Sequence, residues 1–163
     1  MEAVNHNPEL TLLLKLFAEG YGKKAWHGSN LKGSIRGLSA EMAAWRPGRE
    51  RHNIWEIVVH AAYWKYIVHR RLMGEKKGTF PVKGSNWFRR PAVSTEQAWR
   101  QDVALLEAMH HQLREAITQM PPTDLHRWRT DSKYTDAEMI YGIAAHDIYH
   151  AGQIQLLKRL HAR

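Results

Sequence analysis

Near the C-terminus, Met139, Ile143, His146, His150, Ile154 and Leu157 follow one another at intervals of three and four residues. That spacing is the stripe a helix buries against its neighbours. His146 and His150 differ by only about 40° around such a helix, so they share the buried face. Any fold for this chain must therefore supply partners for two imidazoles in its core, because a buried polar group without one costs about 1–3 kcal/mol. A metal ion is one such partner.

The same three-and-four spacing recurs in three earlier segments, and no long alternating run argues for a sheet. The first segment opens at Asn7-Pro8, a capping side chain followed by a proline that loses no hydrogen bond at the first helical position, and runs toward Gly37. Gly20, Gly22, Gly28 and Gly33 leave its continuity open. The second opens with "NIWE", where Asn53 caps and Glu56 can reach back, and continues to Leu72. The third opens with "STEQ" at Ser94, carries Trp99, Val103, Leu106, Leu113, Ile117 and Met120, and stops at Pro121-Pro122. The fourth opens with "TDAE" at Thr135. The expected fold is an all-α four-helix bundle. At 163 residues and 44% hydrophobic content, with no repeat or linker, the whole of 1–163 is expected to form a single domain.

Two ligands from one helix need at least one more from another. In "NIWEIVVHAAYW", His60 lies between Ile57 and Trp64 on the corresponding stripe of the second segment, whereas His69 faces away. His60 stands about 20 Å from the end of its helix near Met73, and the midpoint of His146 and His150 about 18 Å from the start of theirs near Asp136. The three rings come level if the second and fourth helices are antiparallel. That requires an up-down-down-up order, with the Gly- and Pro-containing stretch Gly74–Val93 as a long crossover between helices two and three. The absence of cysteine leaves nitrogen and oxygen as the metal donors. Three histidines and an open position are the arrangement in which zinc binds a water or substrate and lowers the water's pKa to about 7.

The stretches "AWHGSNLKGSIRGLSAEMAAWRP" (25–47), "HNIWEIVVHAAYW" (52–64) and "YGIAAHDIYHAGQIQLLK" (141–158) resemble the DinB/YfiT-like superfamily of four-helix metalloenzymes. The resemblance implies one metal histidine on helix two and an HxxxH on helix four, which here are His60, His146 and His150. It also implies a homodimer and a divalent ion such as zinc, nickel or iron. Members with assigned reactions are S-transferases and isomerases that use low-molecular-weight thiols, and others are called hydrolases. The implied function is thus a metal-dependent transferase or hydrolase acting on a small molecule, the ion activating a water or a thiol.

Further residues are weighed against this site. His27 is a secondary candidate for an acid/base group or substrate contact at its mouth, with a surface histidine as the plainer reading. Gln153, three residues after His150, is placed to orient a water. His52 reads as a turn residue. His110 forms one Glu-x-x-His with Glu107, but a di-metal centre needs two such motifs, so exposure beside His111 is expected. Asp147 is expected to be exposed or to support a ligand from behind, and Tyr149 to pack between helices. "HDIYH" differs from a zinc-protease motif at the glutamate and in the offset of Gly152. Trp55, Trp64 and Trp99 fit core positions, while Trp87-Phe88-Arg89-Arg90 is open to three roles: a cover over the site, a contact for an anionic substrate or a dimer interface. The net charge of +8 makes a basic nucleic-acid-binding module the alternative function; a bundle that keeps its metal for stability alone is the other. No apolar run is long enough for a membrane span and "MEAVNHNPEL" has no leader pattern, so a cytoplasmic location is expected.

Overall fold

The computed structural model describes residues 7–130 and 132–162. The first six residues, on which part of the leader reading rests, lie outside them. The helices are α1 (Pro8–Tyr21), α2 (Leu31–Ile35), α3 (Ala40–Ala44), α4 (Ile54–Leu72), α5 (Glu96–Gln119) and α6 (Asp136–His161), with a 3-10 turn at Pro122–Asp124. Among the described residues there is no strand, only an isolated bridge between Trp128 and Thr135. Among the described residues no helix is long and apolar enough to cross a membrane.

Side-chain caps start the long helices. The Asn7 side-chain Oδ1 accepts from the Leu10 N–H at 2.9 Å, and the Asn53 Oδ1 accepts from the Glu56 N–H at 2.8 Å. Thr135 and Glu138 close a full capping box on α6, with Glu138 accepting from the Thr135 N–H at 2.7 Å. Two expectations change here. α5 is capped by Thr95 rather than Ser94, its hydroxyl accepting from Ala98 N–H. Glu56 closes no box, because its carboxylate is taken by Arg46 and His52.

The first segment is likewise not one helix toward Gly37. α1 ends at Tyr21, and the chain restarts twice, at the caps Asn30 and Ser39. Gly28 and Gly37 have φ of +92° and +73°, a conformation that side chains rarely adopt and that breaks the helical path.

Two apolar clusters fill the bundle. One gathers Leu31, Trp55, Val58, Trp99, Leu106 and Ile154, and the other Phe17, Val68, Leu113, Ile117, Ile140 and Ala144. Each large side chain buried there contributes about 1.5–3 kcal/mol. The tryptophans keep their polar edge satisfied, Trp55 donating to Asp102 at 2.6 Å and Trp99 to the Leu38 carbonyl at 2.9 Å. Trp64 is only half-buried, at the edge of the second cluster. α1 and α6 approach closely at Gly20, where a Cβ would stand 2.8 Å from the Ala144 carbonyl oxygen. The stretch between α4 and α5 is tied to this core, with Phe80 and Phe88 buried in the first cluster and Arg90 paired to Asp102. It runs back along α4, from Phe80 against Tyr66, past the Asn86 carbonyl at His60, to the Arg90 N–H at Glu56.

Candidate metal centre

The Asn53 cap starts α4 so that His60 falls on its inward stripe, where it is buried. His146 and His150, one turn apart on α6, face it. The Nε2 atoms of His60 and His146 are 3.1 Å apart, and those of His146 and His150 3.0 Å. Donor atoms of all three lie within 4.8 Å of one another, the one such group of metal-ligating side chains found among the described residues.

The outer ring nitrogens set the tautomers. His60 donates from Nδ1 to the Asn86 carbonyl at 2.8 Å, and His150 from Nδ1 to Gln153 Oε1 at 2.7 Å. Gln153 is held in that orientation by donating its amide to the Tyr149 hydroxyl at 3.0 Å. Both Nε2 atoms then turn lone pairs toward His146 Nε2. Burial makes the rings shed protons and neighbouring imidazoles reinforce it: His146 is pushed down to about 3 and His150 to about 4. His60 is lowered as well, by burial first, against the opposing hydrogen bond to Asn86. All three are neutral at pH 7.

Three neutral imidazoles aimed at one point suit a cation. Ligands at about 2.1 Å in a tetrahedral site stand about 3.4 Å from one another, close to the spacing seen between the facing nitrogens. The Nδ1–H groups of His60 and His150 already have the outer acceptors that metal-bound histidines use. His146 Nδ1 is buried without a partner. The group fits a divalent ion, and histidine donors do not choose among zinc, nickel and iron.

A wall of rings backs the cluster. Trp87 stacks on His60 with centroids 3.8 Å apart and on His52, on its other face, at 3.6 Å. Asn86 next to it has φ +62°, a left-handed conformation that asparagine tolerates, and its side chain accepts from Trp64 Nε1 at 2.9 Å. His52 is bonded to Glu56 at 2.9 Å. Burial alone would raise the Glu56 carboxyl; hydrogen bonds from Arg46, His52 and the Arg90 N–H outweigh it and hold the group below the usual range.

The DinB superfamily model matches residues 25–154, most of the chain and all three histidines. The chain belongs to the DinB superfamily. Comparison with curated proteins and with solved structures gives no match. DinB membership agrees with an all-helical chain whose histidine triad is shared between α4 and α6.

Of the other residues weighed from the sequence, Gln153 lies against His150, whereas His27 is exposed in the turn after α1 and outside the triad. Three expectations are overturned. His110 is buried, not exposed, with its ring stacked on Phe17 and Tyr21 at 4.5 and 3.7 Å. Two aromatic side chains on α1 cover it. Tyr149 does not pack between helices; it is 62% exposed and serves Gln153 instead. Asp147 is fully buried and pairs with the equally buried Lys65 at 2.5 Å. Burial pushes the Asp147 carboxyl up and the Lys65 ammonium down, each opposed by the other's charge.

Lys65 and Asn86, which support this DinB site, escaped the sequence reading, whereas Trp87 on His60 belongs to the stretch weighed as a cover over it. Lys65 had a signal, a lone cation inside the apolar run "AAYWKYIV". The Asn86 carbonyl had none, since every residue carries one.

Proposed function

We propose that this DinB chain is a divalent-metal-dependent enzyme of the transferase or hydrolase kind, acting on a small molecule, with His60, His146 and His150 as its metal ligands. The observation that carries the reading is the approach of the triad's Nε2 atoms to 3.0 and 3.1 Å with their protons held on the far side of two rings. A divalent ion there supplies Lewis acidity and lowers the pKa of a water or thiol that reaches it. The chain's own residues fix the site. Asn86 and Gln153 orient two rings, Trp87 shields one flank, and the half-exposed edge of His146 leaves an approach from the other. A low-molecular-weight thiol is the substrate the DinB resemblance implies, and a cysteine-free protein working in the cytoplasm has no competing thiolate of its own.

The same reading takes the bundle as up-down-down-up. Contacts that support it pair His60 with His146 and His150, Lys65 with Asp147, and Val68 with Met139 across one cavity, so residue numbers rise along α4 as they fall along α6. Phe17 and Tyr21 against His110 relate α1 to α5, and Trp55 bonded to Asp102 relates α4 to α5. The working unit is a homodimer. Its support is the outer face of α6, where Tyr141, Ile148, Leu156 and Leu160 are 50, 36, 58 and 39% exposed on the side away from the buried stripe. Light scattering on Ile148→Glu is expected to give a monomer where the parent chain gives a dimer.

Metal analysis of tag-free protein purified without added metal tests the centre. About one equivalent of a divalent ion per chain is expected, lost in His150→Ala. Absence of stoichiometric metal, unchanged by that substitution, refutes it. A screen of thiol transfer and hydrolysis, with and without chelator, then tests the enzymatic part, and metal-dependent turnover is the expected result.

A further inference from the structure

A cavity of about 270 Å³ runs between α4 and α6 beside the triad. Trp64 and an edge of His146 line one end, and Arg71 lies seven residues further along α4, about 10 Å away. Val68, Met139 and Ile143 make apolar walls between them. The volume holds roughly nine non-hydrogen atoms at the ~30 Å³ each molecule of liquid water occupies.

Arg71 is half-buried, its Nε is buried without a hydrogen-bond partner, and it has no ion pair among the described residues. The carboxylate lining the same cavity is Glu138, and it is turned away, accepting from the Thr135 N–H and hydroxyl at 2.7 and 2.9 Å. A partly desolvated guanidinium with no anion is costly unless a ligand completes it, and its planar fork suits a carboxylate. Arg71 therefore stands at one end of an apolar slot whose other end is a ring of the triad.

We propose that this slot is the substrate arm of the centre and takes a small acid, its carboxylate on Arg71 and its apolar or aromatic body along Val68, Met139 and Ile143, so that its far end lies at His146. What happens to that far end rests on the metal reading. The binding does not. Gly142 offers a way to close the slot, because a Cβ there meets nothing within 4 Å and leucine is the better helix former.

Calorimetric titration of the full chain with benzoate and with its uncharged amide tests this, on protein given one equivalent of zinc and on chelator-treated protein. The acid is expected to bind about tenfold more tightly than the amide, or better, in both preparations. Arg71→Met abolishes the preference, and Gly142→Leu abolishes binding of both ligands. Equal affinities in the parent chain, a preference that survives Arg71→Met, or binding of neither ligand overturns the proposal. A chain that takes up no zinc yet keeps an Arg71-dependent preference retires the metal centre and leaves the slot standing; zinc uptake without a preference does the reverse.

Discussion

His110 gives the sharpest test of how the α1 and α5 faces are packed. Its ring is stacked on Phe17 and Tyr21, its Nδ1 is buried without a partner, and burial, reinforced by the charges of Lys65, His111, Arg114 and Lys32, holds its pKa down to about 2. In the unfolded chain the same group titrates near its ordinary value of about 6.5. Below that pH the unfolded state binds the extra proton, so His110 costs stability as pH falls, at up to about 1.36 kcal/mol per pH unit. From pH 7 to pH 5 the loss integrates to about 2 kcal/mol. His110→Phe keeps an aromatic ring in the stack, removes the orphaned nitrogen and removes the linkage. Urea unfolding of metal-free protein is the assay, because the triad imidazoles are also depressed and then contribute equally to both proteins. The variant is expected to be at least as stable as the parent at pH 7 and to gain about 2 kcal/mol on it by pH 5. A stability difference that is the same at both pH values refutes the reasoning, since it means the ring takes up its proton while folded.

Three other outcomes follow from contacts near the triad. Gln153→Ala removes the acceptor of His150 Nδ1–H and is expected to weaken metal affinity by roughly 10–100-fold, read by competition with a chromophoric chelator. Lys65→Met strands the Asp147 carboxylate in the core and is expected to cost about 3–5 kcal/mol in urea unfolding, most of it recovered in Lys65→Met/Asp147→Leu. Gly20→Ala presses a methyl onto the Ala144 carbonyl oxygen and is expected to lower stability by about 1–3 kcal/mol, seen as a lower melting temperature.

Caps and spacing placed α4 and α6 from the sequence, and α5 to within one residue, because both are local: a side chain three residues from an N–H, and a period of 3.6. The triad was legible for a related reason. Helical rise converts residue number into depth, so His60 can be matched to the His146–His150 pair without coordinates. The break after Tyr21 was harder, since glycines permit a helix as readily as they end one, and only the backbone angles at Gly28 and Gly37 decide it. His110 shows the complementary limit. Its angle on α5 put it on the inward side, but nothing on that helix says that Phe17 and Tyr21 from α1 close over it. The outer acceptors divide the same way, Gln153 being reachable at three residues and the Asn86 carbonyl being the backbone of a distant segment.

The buried ion pair explains why the imidazoles meet. Lys65 meets Asp147, which adjoins His146 on α6, while His60 meets His146 itself, so one register holds both the pair and the triad. Sliding α6 by one turn, about 5.4 Å, exchanges one aliphatic side chain for another along much of an apolar seam and would cost little there. The same slide leaves an ammonium and a carboxylate, both fully buried, without each other. Buried pairs return little net stability over apolar replacements, yet breaking one costs several kcal/mol, which is the energetic profile of a register lock. The pair thereby penalises every alignment of α4 and α6 except the one that brings His60 to His146 and His150, and it does so from inside the core, where salt does not screen it.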